Sequence, residues 1–567
     1  MTKRYSRRIV LQMAAGAALL AALDSQAVSM VTRRRRYVDS GGGPTNEIGT
    51  PGGAGFGVGV CPSPPAGFTA LTGYADPASD NYGNYQYADG SIMVWVPAFY
   101  YRVAHADNPT YGVHGVNSVH IVPESTYANV AAANAAGYAL HRAFIDGGAQ
   151  KRGFFVDKYM CSKAAWGTGY IASSVKNGLP ISFHADHNPI SGLTACTAGV
   201  QYYRALDAAH ARDGVNGAVN ASSIFFCCSR FVYSALALLS LAHGQAATAA
   251  TYCAWYSATT TNFPKGCNNN ALADTNDTAV KWESDGYSNC GKTGSAGYGG
   301  GAGNVFAKST HNGQGCGVAD LNGLMWEVST GITCIASSPA IGGITSAAAP
   351  VFTINTHGLT AGDVIQINSI TQADWVNFKD KMWTVASTPD ANTFTLTSAP
   401  DCSGYAAYDP VADPGTITKG AFHIAKEATA MRAFTSGNSA ATDHWGATGV
   451  AAMMQAFAPA FETTYNGNGY GLKFGDGAGQ VLAEDLSGDS WLRTGLGIPD
   501  AAAGISAAGT NLFGLDYFYQ YVVNELFLLS GGYWGSSTGA GVWTAAWYYA
   551  RGGAGSTTGF RLACVPV

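Results

Sequence analysis

Residues 531–563, GGYWGSSTGAGVWTAAWYYARGGAGSTTGFRLA, constrain the fold more than any other stretch of the chain. They consist of glycine, small hydroxyls, alanine and large aromatics, with Arg551 and Arg561 as the only charges. The whole chain shares this character: 73 Gly stand beside 30 Tyr and 12 Trp, and only 12% of residues are charged. Such a chain is too aromatic to stay disordered and too rich in glycine to avoid many tight turns, which predicts a loop-rich, β-containing globule. With 567 residues, more than one domain is expected.

The spacing within 543–549 predicts a strand. Alternation places Trp543, Ala545 and Trp547 on one face and Thr544, Ala546 and Tyr548 on the other. The two tryptophans suit a core. The opposite face, with Tyr549 at the strand end and Tyr533, Ser536 and Thr538 from the preceding loop, has the Tyr, Ser and Gly composition of a binding surface. Tyrosine offers a large amphipathic area with few rotors to freeze, while Ser and Gly adapt locally. A solvated face built of ordinary turn residues has the same composition, and both readings stand at this level.

Net charge is −5 and unevenly spread. Residues 1–40 hold Lys3, Arg4, Arg7, Arg8 and Arg33 to Arg36 against Asp24 and Asp39, leaving 23 basic and 34 acidic residues in the body. An acidic body without a basic stripe argues against nucleic acid as a partner. The 12 cysteines are scattered without CxxC or zinc spacing, so burial as small apolar residues is expected ahead of disulfides.

In SRRIVLQMAAGAALLAALDSQA, the Arg7–Arg8 pair precedes an apolar run from Ile9 to Leu23 and small residues near Ala27, similar to a twin-arginine export signal. The run falls short of the roughly 20 residues that span a bilayer. A packing helix and an upstream start codon, with the working protein beginning at Met30, are the competing readings.

Changes of character along the chain divide it into a basic segment over 1–40, a Gly/Pro-rich linker with first strands over 41–90, and a mixed region over 91–335. An all-β module follows over 336–425, then a closing region over 426–567. Strands are predicted within SIMVWVPAFYYRV (91–103) and a helix within SRFVYSALALLSLAHGQ (229–245). VFTINTHGLTAGDVIQINSI, KMWTVAST and NTFTLTSA show the period of strands. Through HGLTAGDVIQI, NTFTL and SGYAAY the module resembles one common in phage tail and fibre proteins, which implies a virion setting.

GVADLNGLMWEV (317–328) is similar to a GLYDMxGNVWEW signature, and GGYW…AR…GFR to the RGGSW…R…GFR pattern of the same family. Both belong to the formylglycine-generating-enzyme-like branch of the C-type lectin fold. GFFVDKYMCSK (153–163) and ATYCAWYS (250–257) resemble its earlier strand and helix landmarks. The expected fold is therefore α+β, a C-type-lectin-like domain interrupted by the small all-β module. Within the branch the C-terminus looks closest to variable proteins diversified by retroelements, such as phage tropism determinants, whose exposed face is randomised at adenine-containing codons.

The resemblance implies binding positions at Tyr533, Ser536, Thr538, Thr544, Ala546, Tyr548, Tyr549 and Gly553. It implies scaffold roles for Gly531, Gly532, Trp543, Arg551, Gly559, Phe560 and Arg561. A cell-surface receptor, protein or glycan, is the implied partner, with virion tail components and a homotrimer if the protein is phage-borne. The implied location is the tip of a phage tail fibre, or the bacterial surface or periplasm if the N-terminus directs export.

The enzymes of this branch bind copper through a cysteine pair near the terminal GGS segment. Residues 531–560 contain no cysteine, and Cys564 lies past GFR. Ser or Tyr cannot replace a thiolate without loss of soft-metal affinity, so an oxidase is not expected. HADH (184–187) reads as a surface turn, and GYGGGAG (297–303) lacks the ending of a P-loop. No cofactor is expected beyond a structural calcium, for which Asn268, Asp274, Asn276 and Asp277 supply hard oxygen ligands. A capped turn is the alternative there.

Overall fold

The computed structural model describes residues 46–435 except 186, 187 and 255–309 (within which 256 and 258 are described), then 453–457, 471–473, 495–498 and 516–566 except 534, 535, 537 and 538. The expectations for the basic N-terminus, the calcium ligands Asn268, Asp274, Asn276 and Asp277, the GYGGGAG stretch, Thr538 and His187 lie outside the described residues.

The fold is α+β, built mainly from antiparallel sheets. One helix, Arg230–Ala246, runs through the largest core. Ser229 caps it by accepting the Val232 N–H at 3.3 Å, and every residue from Arg230 to Gly244 is buried. A helix apolar on all sides needs cover on all sides. Part of that cover comes from the Gly-rich stretch expected to be a linker: Ile48, Phe56, Val58 and Val60 are buried. Phe56 stacks on His243 with centroids 5.3 Å apart. Glycines there let backbone lie against the helix end, where the Gly52 N–H donates to His243 Nδ1 at 3.1 Å.

No helix follows at 250–254, where a landmark helix was expected. The chain turns back there, and the Tyr252 carbonyl lies 2.6 Å from His243 Nε2.

The chain's last strand, Leu562–Cys564, sits inside a six-stranded antiparallel sheet, between Gly153–Asp157 and Phe225–Cys227. A second six-stranded sheet carries Ala545–Ala550 between Tyr517–Gln520, to which it runs parallel, and Leu526–Ser530. Trp326–Ser329 pairs with Leu526–Ser530 on one side and with the short Thr558–Gly559 on the other. Both expected strands within 91–103 form, as Ile92–Pro97 and Phe99–Val103.

Residues 341–417 enclose their own core of Phe352, Ile365, Ile367, Trp375, Phe378 and Phe394, with others around them. Val351–Thr353, Val364–Asn368, Lys381–Asp390 and Thr393–Leu396 form where period-two patterning predicts strands. The segment hangs from two adjacent strand ends, since Ser337 pairs with Lys419. Those two strands, Ile332–Ser337 and Thr416–Ala425, also bury Ile332, Cys334, Phe422 and Ile424 in the main core.

All ten described cysteines are buried with free thiols. Burial pushes Cys61 up to about 11 and Cys334 up to about 12. Such thiols are poor nucleophiles. Among the described residues, no helix is long and apolar enough to cross a membrane.

Candidate functional site

Five charged residues anchor the C-terminal strands. Arg561 is fully buried and grips the Glu327 carboxylate through Nε and Nη2, while donating to the carbonyls of Asp157 at 3.0 Å and Ala319 at 2.9 Å. Burial opposes the Arg561 charge, but Glu327 holds it above the usual guanidinium range. Asp157 in turn takes Arg212 Nη2 at 3.0 Å and the Leu562 N–H at 2.9 Å. Asp89 completes this cluster, 3.4 Å from Arg212 Nε. Paired and hydrogen-bonded in this way, buried charges are tolerated that would otherwise be strongly destabilising.

Arg551 is buried as well. It donates to Tyr203 Oη at 3.1 Å and to Thr333 Oγ1, and it lies over the rings of Tyr202 and Tyr203. Phe560 and Gly559 are buried, and a Cβ on Gly559 would stand 2.8 Å from the Ile181 carbonyl oxygen.

Beside this frame in sequence, Gly531 is drawn against Gly541 and Thr544 to form a narrow neck. The Gly531 N–H donates to the Thr544 carbonyl at 2.9 Å, and the Gly541 N–H donates to the Gly531 carbonyl at 3.1 Å. Thr544 Oγ1 donates to the Gly539 carbonyl at 2.6 Å. Gly531 has φ +88, and its missing side chain lets the Leu321 carbonyl approach to where a Cβ would be 2.7 Å away. Gly532 fits against Ala540 in the same way. At the tip, the Tyr533 N–H donates to Ser536 Oγ at 3.0 Å and the Ser536 N–H to the Tyr533 carbonyl at 2.8 Å. Both residues are half-buried. Tyr533 packs on Met160, Leu324, Met325 and Ala540, with its ring 6.5 Å from that of Trp326.

The expected binding positions are not all brought together. Trp543 and Trp547 are buried as expected, but the strand begins only at Ala545, so Trp543 and Thr544 belong to the turn before it, and Thr544 and Ala546 are buried too, at 1% and 0% exposure. These two must be withdrawn from any accessible face. Alternation marks an exposed face only where one side of a sheet is open. Here Ala545–Ala550 is paired on both edges, and neither side of it is open at these positions.

Tyr549 is half-buried against Phe527, with centroids 6.0 Å apart, and the half-buried Gly553 lies beside it. Ser530 pairs with Ala545 and Phe527 with Tyr549, so the 533–536 tip and Tyr549 belong to opposite ends of the strand. Four strand residues separate those ends by about 13 Å. Tyr548 lies in the strand. The accessible cluster that the geometry assembles is therefore the loop tip around Tyr533 and Ser536.

Sequence reasoning missed the residue beneath that loop. Asp516 is buried, and its Oδ2 accepts the Trp543 N–H at 2.9 Å. Burial pushes its carboxyl up to about 8, against the opposing pull of the Trp543 N–H and Arg230. One signal was legible: a lone acid, Glu327, within the apolar run LMWEV announces a buried partner. Asp516 carries no comparable mark.

Among the described residues no group of three or more His, Cys, Asp or Glu is placed to hold a metal ion. His184 is half-buried, its N–H bonded to Ser182 Oγ at 3.2 Å. No protein-family model matches the chain, and no curated protein matches it in sequence.

Proposed function

We propose that the protein is a non-enzymatic receptor- or ligand-binding protein whose C-terminal loop, 531–544, is its contact element, carried on a C-type-lectin-like domain. The observation that supports this reading most is the contrast within the loop. Its neck is fixed by buried backbone contacts, while Tyr533 and Ser536 at the tip stay partly open to solvent. A rigid base under a Tyr/Ser/Gly tip limits the entropy lost on contact, which is what makes such surfaces effective binders. The partner is a cell-surface protein or glycan, and the setting is the tip of a phage or prophage tail fibre. The inserted module over 336–425, with its separate core, suits a spacer or decoration in such a fibre.

A second setting, display on a bacterial surface after export, is favoured by the Arg7–Arg8 pair and the apolar run behind it. Both settings use the same face. Binding of the full chain to intact candidate host cells tests the reading. Tyr533→Ala is expected to lower the bound fraction at least tenfold while the chain stays folded. Unchanged binding by a folded variant would move the contact surface elsewhere.

A further inference from the structure

Trp543 is held from both sides of its backbone. Its N–H donates to Asp516 Oδ2 at 2.9 Å, and its carbonyl accepts from Arg230 Nη2 at 3.1 Å. Arg230 reaches three further points: the Leu496 carbonyl at 2.7 Å, the Gly497 carbonyl at 3.1 Å and Ser530 Oγ at 2.9 Å. The same guanidinium therefore touches the residue just before the loop and a residue within its neck. Asp516 also supports the Thr544 N–H, which is shared with the Gly541 carbonyl at 3.0 Å. Its carboxylate fills the space beside Gly541 so fully that a Cβ there would stand 1.9 Å from Oδ1. Arg230 and Asp516 are each fully or almost fully buried.

We propose that Asp516, acting with Arg230, is the positioning residue of the 531–544 loop: the pair clamps the Trp543 peptide and fixes the neck from which Tyr533 and Ser536 are presented. The inference rests on the reading of this loop as the contact element. It goes further by naming what holds the loop's neck at Gly541, Trp543 and Thr544. Asp516 makes no contact with a partner; it acts through the backbone it holds.

The charged group facing Asp516 among the described residues is Arg230, from the helix Arg230–Ala246, and the remaining groups turned toward it are the two backbone N–H donors. The folded carboxyl is raised to about 8, above the roughly 4 of an unfolded aspartate. The folded chain thus holds this proton more tightly. The stability it contributes is complete below about pH 4 and is lost as pH rises toward about 8.

Amide hydrogen exchange on the full-length chain tests the clamp. Asp516→Ala and Gly541→Ala should each speed exchange at the Trp543 and Thr544 amides at least tenfold, whereas Asp516→Asn, which keeps an acceptor oxygen, should restore most of the protection. Melting temperatures followed from pH 5 to pH 8 add a readout that simple packing would not move: the wild type's lead over Asp516→Asn should shrink steadily across that range. Wild-type exchange rates in a folded Asp516→Ala chain would overturn the proposal. Where Asp516→Ala fails to fold, Gly541→Ala carries the test, and wild-type exchange rates at the Trp543 and Thr544 amides in a folded Gly541→Ala chain overturn the proposal. No ligand enters either measurement, so failure here leaves the receptor-binding reading standing, and a failed cell-binding test leaves the clamp standing.

Discussion

In the sheets that carry the C-terminus, charge lies inside: Arg561 on Glu327, and Arg212 on Asp157 with Asp89, all without solvent exposure of their side chains. In the segment from Ile341 to Ile417 the core is apolar, and its charges work at turns and edges. Asp413 accepts from the Thr371 N–H, Thr371 Oγ1 and the Gln372 N–H at 2.8 to 2.9 Å, and Lys419 meets Asp363 at a half-exposed site. The frame joins residues 234 positions apart through a charge pair, while the Asp413 turn spans 42. Long-range buried pairs make the frame all-or-none, because each partner is a liability until the other arrives. The local turns let the segment close on its own core.

The hardest test of this contrast is Arg561→Met, which strands Glu327 without its partner. A loss of about 5 kcal/mol is expected, close to the whole stability of an ordinary domain. Denaturant unfolding of the frame measures it, and the double change with Glu327→Leu should recover most of the loss. If the single variant were as stable as wild type, the frame would not depend on the pair.

Phe394→Ala probes the other region. Phe394 is fully buried and stacks on Phe352 with centroids 5.3 Å apart. Truncation should cost about 3 to 4 kcal/mol. Hydrogen exchange should rise across 341–417 while the strands around Leu562–Cys564 keep their protection. Equal loosening of both would mean that the two regions unfold as one.

Asp413→Asn should be milder, about 1 to 2 kcal/mol, since it weakens hydrogen bonds within one turn. Burial works to raise the Asp413 carboxyl, but the backbone donors of Gln372 and Thr371 outweigh it and hold the group below the usual carboxylate range. Its contribution is therefore full above the unfolded aspartate value of about 4 and is lost as pH falls through the lower folded value. Acid titration of the segment's stability should show a larger loss in the wild type than in Asp413→Asn, the reverse of the sense expected at Asp516; Asp363, Asp390 and Asp401, also held low, account for the loss that remains.

Much of the strand and helix content was legible. The strands of 351–396 follow from alternation, and the helix Arg230–Ala246 from apolar spacing, because those patterns record which faces meet a core. The burial of Trp547 was legible for the same reason, whereas Trp543 lies in the turn before the strand, where alternation does not act. The candidate site was legible only in part. Tyr533 and Ser536 lie in a loop before the strand as expected, yet Thr544 and Ala546 turned out buried, since alternation within one strand says nothing about what its neighbours cover. Tyr549 was grouped with Tyr533 by closeness in sequence, although a strand carries them to opposite ends.

By itself the sequence determined that glycine-rich turns and aromatic strands would dominate, and where the strands of 351–396 and the helix Arg230–Ala246 would form. Only the tertiary structure decided that Glu327 meets Arg561, that the final strand enters the middle of an earlier sheet, and that Asp516 and Arg230 hold the Trp543 backbone. Side-chain periodicity is a local property of the chain and can be read in order. The pairing of buried charges and the covering of a sheet face depend on segments hundreds of residues apart, and they exist only once the chain has closed around them.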